Sequence, residues 1–169
     1  MGAPQEWGRG LTLFRPSDHR SLLPADVELV PCDPARDGEL IRALTRASFY
    51  AAMKATWSEA RHLEEPKFPE RYQMVRRAGA TIGFLAIRRE PDHLYLQTIQ
   101  LIEPARGLGL GTLLLAHVEA LAGGLRAIRL RVLRANTGAR RLYARLGYRE
   151  IGGDDDALLL ELRVAKAME

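Results

Sequence analysis

Three glycines at alternate positions restrict this fold more than any other feature of the chain. Residues 106 to 112 read RGLGLGT. They follow the strand-like run DHLYLQTIQLIEP, which stops at Pro104, and they lead directly into LLLAHVEALA, which has the spacing of a helix. A strand, a tight turn and a helix in succession form a layered unit, so the chain needs a sheet on which that helix can pack. Glycines at such a turn also admit a ligand to the free N–H groups at a positive helix end. An anion suits that place.

The rest of the chain supplies the sheet and more helices. The lead-in, residues 1–25, carries Gly2, Pro4, Gly8, Gly10, Pro16 and Pro24 and reads as extended; residues 26–169 read as a single domain. ADVELVPCD is a first strand. In DGELIRALTRASFYAAMKATWSEARH, the residues Leu40, Ile41, Leu44 and Ser48, then Phe49, Met53 and Trp57, recur at helical steps, as one broken helix or two short ones. RYQMVRRAGATIGFLAIRRE is a hairpin turning at Ala78 to Ala80. RAIRLRVL alternates Ile128, Leu130 and Val132 with Arg129 and Arg131, a strand with one apolar face. A helix from Asn136 to Leu146 ends at Gly147, and two short strands, YREIGG and ALLLELRV, follow around the acidic turn Asp154 to Asp156. The expected class is α/β, a mixed sheet with helices on both faces.

Composition narrows the function classes. With 169 residues, 47% hydrophobic and 27% charged, the chain is long enough to bury a core without staples. Cys32 is the only cysteine, so no internal disulfide forms, and it reads as a small buried side chain. No run suits a membrane span, the N-terminus lacks a signal-peptide pattern, and the cytoplasm is the expected compartment. No Cys and His cluster has metal spacing, so no metal is expected.

The glycine turn fails two better-known phosphate loops. The dinucleotide fingerprint needs a third glycine where Thr112 or Leu114 stands. The triphosphate loop needs a lysine, and none lies between Lys67 and Lys166. What does match is downstream. ARGLGLGTLLLAHVEALA, with Arg106, Gly109 and Gly111, and RANTGARRLYARLGYREIG, with Asn136, Leu142, Tyr143, Leu146, Gly147 and Tyr148, together resemble the GCN5-related N-acetyltransferases. The first segment is similar to the family's acetyl-CoA-binding segment, and the two stand in family order. The likeness extends more loosely from Val27 to Val164.

That resemblance implies a mostly antiparallel central sheet, splayed where acetyl-CoA binds. Leu101 and Ile102 would pair their backbone with the pantetheine arm. Arg106 and the loop Gly107, Leu108, Gly109, Leu110, Gly111 and Thr112 would hold the pyrophosphate. Asn136 would bond the pantetheine or cap its own helix, and Arg140 would meet the cofactor's phosphates. Tyr143 lies seven residues beyond Asn136, so it returns to nearly the same helix face, about 20° off and roughly 10 Å along. It is the implied proton donor to the leaving thiolate. With a phenol near 10 and a thiol near 8.5, complete transfer is uphill by roughly 2 kcal/mol. Tyr148 is available for packing instead.

The base and the acceptor are less legible. Some family members carry a glutamate on the long strand, whereas LYLQTIQLI has none; Gln97, Thr98 and Gln100 orient water but take no proton at neutral pH. Glu103 follows the strand close to where the resemblance would put the phosphates, and repulsion makes it a poor base there. Glu64, Glu65, Glu70, Glu90, Asp92, His62 and His93 read as surface residues. Tyr50, Trp57 and Gln97 are the candidates for holding the acceptor, a small amine or amino-acid derivative, with a protein N-terminus or lysine second. A homodimer is only a family habit. Two rival classes stand beside this reading. One is a nucleic-acid binder, suggested by Arg126, Arg129, Arg131, Arg134, Arg140, Arg141, Arg145 and Arg149, which lack interleaved aromatics. The other is an acetyl-CoA sensor without turnover.

Overall fold

Alternating side chains set the layers. In the computed structural model, which describes residues 22–53 and 68–165, every strand has buried residues except the edge strand Arg149–Gly153, which is exposed throughout. The order is β1 (Val27–Pro31), α1 (Pro34–Met53), a 3-10 turn (Pro69–Arg71), β2 (Tyr72–Arg77), β3 (Ala80–Arg89) and β4 (His93–Leu101). A second 3-10 turn (Glu103–Ala105) precedes α2 (Leu110–Leu121), β5 (Ala127–Leu133), α3 (Thr137–Arg145), β6 (Arg149–Gly153) and β7 (Ala157–Arg163). The seven strands lie in the order β1-β2-β3-β4-β5-β7-β6. All neighbours are antiparallel except β4 and β5. Parallel neighbours need a crossover, and α2 provides it.

The two faces hold two cores. Leu85, Ile87, Leu96, Ile128, Leu130 and Val132 pack with Leu110, Leu114, Leu115 and Val118 of α2 and Tyr143 of α3. On the other face, Tyr72, Met74, Phe84 and Ala86 pack with Ile41 of α1. The expected mixed sheet with helices on both faces is what forms. Cys32 is half-buried against the second core, and burial pushes its thiol up.

Helix α1 begins earlier than the apolar spacing alone suggests. Asp33 caps it, accepting the N–H of Ala35 at 3.0 Å, and Pro34 takes the first helical position, where a missing N–H costs nothing. Asp37, 3% exposed, closes the cap in return by accepting the N–H of Asp33 at 2.8 Å. Arg36 forks onto both its oxygens at 2.8 and 2.7 Å. The helix is described to Met53; Trp57 and the lead-in up to residue 21 lie outside the described residues.

The irregularity that matters is in β4. Pairing with β5 runs from His93↔Ala127 to Leu96↔Leu130 and stops there, although β4 continues to Leu101 and β5 to Leu133. Against β3 the register passes from Ile87↔Leu96 to Ala86↔Thr98, so Gln97 is an extra, bulged residue. A bulge bends its strand and increases its twist. The bent half then lies tightly on β3: a Cβ on Gly83 would meet the Gln100 carbonyl oxygen at 2.1 Å, a place only glycine fits.

Arg36 holds the Asp37 carboxyl below the usual carboxylate range, with the Asp33 N–H and the Arg36 and Arg76 charges adding to it against the cost of burial. A depressed folded value stabilises above the unfolded pKa of about 3.9 and is lost as pH falls through it. Asp37→Asn is expected to lose about 1–3 kcal/mol at pH 7. Urea unfolding checks it, and the gap between variant and parent should shrink below about pH 4.

Candidate functional site

The parting of β4 and β5 opens a cavity of about 700 Å³. Leu96 to Leu101 form one wall and Leu130 to Leu133 the other, with Thr45 and Ser48 from α1, and Arg106, Gly111, Asn136 and Tyr143 from the side of α2 and α3. Beyond Leu96, the β4 edge that faces β5 carries no strand, which leaves main-chain groups free to pair with an extended ligand. Ile102 is not among them, since its N–H bonds to the Ile82 carbonyl at 2.9 Å. The Leu101 carbonyl accepts from Arg106 Nε at 2.8 Å. The stretch open to pairing therefore shifts from Leu101 and Ile102 to the residues before them.

The glycine turn has the shape of an anion cradle. Gly107 and Gly109 have φ of +73° and +79°, conformations that other residues adopt only with strain. Gly109 caps α2 with no side chain to bond, so the N–H groups of Leu110, Gly111 and Thr112 have no intrahelical partner. A Cβ at Gly107, Gly109 or Gly111 would meet nothing within 4 Å; the space above the turn is open. Leu110 is buried and offers only its backbone, and Leu108 is exposed. Through Leu101, Arg106 ties the strand end to the turn.

Asn136 and Tyr143 reach the cavity from α3, and each also has a structural partner. Asn136 Oδ1 accepts the Ala139 N–H at 3.1 Å, capping the helix. Tyr143 is 7% exposed, and its ring meets Tyr148 edge-on at 5.4 Å. Burial pushes its phenol up to about 12. Full proton transfer to a thiolate near 8.5 then rises to about 5 kcal/mol, more than the sequence suggested, so hydrogen-bond donation is what this phenol can supply. Tyr148 is buried too, as its packing role required. Its hydroxyl finds no partner among the described residues, and burial, then Tyr143 and Glu119, raise it further.

The remaining candidates divide. Gln97 lines the cavity; Tyr50 lies in α1 with its side chain outside the described residues, as is all of Trp57. Arg140 departs from expectation: its Nη1 donates to the Arg134 carbonyl at 3.1 Å, and it borders a separate hollow of about 430 Å³ with Arg141 and Tyr148. Asp92 and His93 bond to each other at 2.7 Å at the closed end of β4, and Arg88 holds Glu90. Glu70 and Glu103 are exposed; His62, Glu64 and Glu65 lie outside the described residues. His117 is half-buried, and burial lowers its imidazole. Thr45 was missed from the sequence. The signal was there: the α1 stripe turns from Ile41 and Leu44 to Thr45 and Ser48, apolar to hydroxyl, one turn on.

The arginines noted in the sequence are divided between strands, turns and a helix. Arg129 bonds Glu161 at 2.8 Å and Arg131 bonds Asp154 from β5, whereas Arg140, Arg141 and Arg145 belong to α3. Among the described residues, no group of three or more His, Cys, Asp or Glu could hold a metal ion, and no helix is long and apolar enough to cross a membrane.

Solved structures share this architecture. An acetyltransferase from Thermus thermophilus is 20% identical, with a TM-score of 0.67, over 81% of this chain and 96% of its own. The PaiA N-acetyltransferase of Thermoplasma acidophilum, in complex with coenzyme A, is 15% identical, with a TM-score of 0.64, over 81% and 98%. Naa50 of Arabidopsis thaliana, in complex with the bisubstrate analogue CoA-Ac-MVNAL, is 19% identical, with a TM-score of 0.57, over 81% and 98%. No curated protein sequence matches the chain. A family model does, over residues 39–148, and it completes what the parted strands and glycine cradle suggest: this chain belongs to the Acetyltransferase (GNAT) family.

Proposed function

We propose that residues 26–169 act as one acetyl-CoA-dependent N-acetyltransferase domain whose acceptor is a primary amine, a small amine or amino-acid derivative. The observation that carries this reading is the pair of strands parted at Leu96↔Leu130 around a cavity with Tyr143 on its wall. The residues present suit the cofactor. The open glycine turn with unbonded N–H groups fits a pyrophosphate, and the bare β4 edge fits an extended amide arm.

Acetyl-CoA supplies a thioester whose carbonyl carbon a neutral amine can attack: a C–N bond forms, the C–S bond breaks, and sulfur keeps the electron pair. The chain's own part is placement and one hydrogen bond. Leu110, Gly111 and Thr112 hold the phosphates by their N–H groups, with Arg106 beside them. Tyr143, protonated far above neutrality, donates to the sulfur as charge develops there. Among the described residues no carboxylate or imidazole lines the cavity. In this reading the amine proton leaves to water, and the contribution of the described cavity residues is positioning.

CoA release across an amine panel, with peptide α-amines and lysine included, tests the reading. Acetyl-CoA binding without turnover on any amine would establish the sensor instead. Tyr143→Phe is expected to lower kcat about a hundredfold while leaving acetyl-CoA affinity within a few-fold by calorimetry; an unchanged kcat removes Tyr143 from this role. Because the phenol keeps its proton to about 12, kcat/KM for the amine should rise with pH as the amine deprotonates and show no descending limb before about pH 10. A descent near pH 8 would assign the donor elsewhere. Gly111→Val should raise the KM for acetyl-CoA at least about tenfold, because a side chain there meets only open space. Its melting temperature should stay level or rise, since glycine is a weak helix former.

A further inference from the structure

Gln97 and Arg131 hold matching places that the transfer chemistry leaves unused. Leu96↔Leu130 is the last pair of the parallel ladder, so Gln97 on β4 and Arg131 on β5 are the first residues on either side of the opening. Both line the cavity. Arg131 alternates with Leu130 and Val132, which are buried in the main core, so its side chain is directed to the α1 face. Thr98 and Gln100 are on that face too, paired with Ala86 and Phe84 of the second core. This side of the cavity lies across the sheet from the glycine turn.

The two side chains offer complementary groups. Gln97 Oε1 is buried and accepts no hydrogen bond among the described residues, so it calls for an N–H donor. Arg131 has five N–H donors. Among the described residues its Nη2 donates to Asp154, whose other oxygen is occupied by the N–H groups of Asp156 and Ala157 at 3.0 and 2.9 Å. The remaining fork is suited to a carboxylate. Among the described residues, Arg106 and Arg131 are the charged residues that line the cavity, and Arg106 is tied to the strand end beside the turn. Among the described residues of this wall no carboxylate meets a polyamine, whereas an anionic acceptor meets Arg131, whose charge it shares with Asp154.

We propose that the acceptor is an amino-carboxylate, its amine held by the Gln97 carbonyl and its carboxylate, two or three bonds from the amine nitrogen, held by Arg131. The assignment rests on the transfer reading above and narrows its substrate class. Arg131 is thus a specificity residue, and it touches the acceptor rather than the thioester.

Matched pairs test it: phenylalanine against phenethylamine, and leucine against isopentylamine, each assayed by CoA release with saturating acetyl-CoA. The full chain is expected to prefer the acid over its amine by at least tenfold in kcat/KM. Arg131→Met should bring that ratio to about one, and Arg131→Lys, which keeps the charge but not the fork, should restore part of it. Acetyl-CoA affinity and melting temperature, measured on the same variants, separate a specificity loss from misfolding. An amine used as well as its acid by the parent enzyme, or a ratio unmoved by Arg131→Met, overturns the proposal and leaves the acetyltransferase reading standing. Acetyl-CoA binding with no amine or acid acetylated overturns both.

Discussion

The site depends on one broken ladder. β4 and β5 pair for four residues and then part, and the extra residue at Gln97 is what bends β4 away. Had the ladder continued, the main-chain groups of residues 97–101 facing β5 would be spent on each other, and there would be no cavity. The surrounding structure accommodates the bend. Gly83 lets the bent half lie against β3, Arg106 ties its end to the glycine turn, and Asn136 starts α3 at the opposite rim. Each of these is a local solution to the same gap.

Electrostatics divides the cavity into two sides. On the side of α2, unbonded N–H groups at a helix start face open space, an arrangement for phosphate oxygens that does not require lysine. On the side of α1 the wall is hydroxyl and amide, with Arg131 at its border. Tyr143 belongs to both the core and the cavity. The burial that makes it a reluctant acid also keeps it protonated and aligned, which is what a hydrogen-bond donor needs. The Tyr148 ring fixes it edge-on.

The strands, the hairpin at Ala78 to Ala80 and the three helices were legible because their signals are local: alternation, spacing, and glycine or proline stops. The start of α1 was legible as well, in Asp33 and Pro34, but the apolar spacing drew attention further along the chain. Residue types also pointed to the glycine turn, Asn136 and Tyr143. Thr45 and Ser48 were harder to read, since a hydroxyl on a helix stripe says nothing of the strand it will face. The role of Arg140 did not follow from sequence, because its partner is a carbonyl six residues back at a turn.

By itself, the sequence determined the elements, the mixed sheet and the open glycine turn at the start of a helix, since glycine placement and side-chain periodicity act within a few residues. Tertiary structure decided the rest. The bulge at Gln97 exists only as a mismatch of register with β3, invisible in LYLQTIQLI read alone. The rise of the Tyr143 phenol comes from burial under neighbours distant in the chain. That Gln97 and Arg131, 34 positions apart in sequence, border one opening follows from the parallel register of β4 and β5, which depends on the crossover through α2 and the bend that ends it.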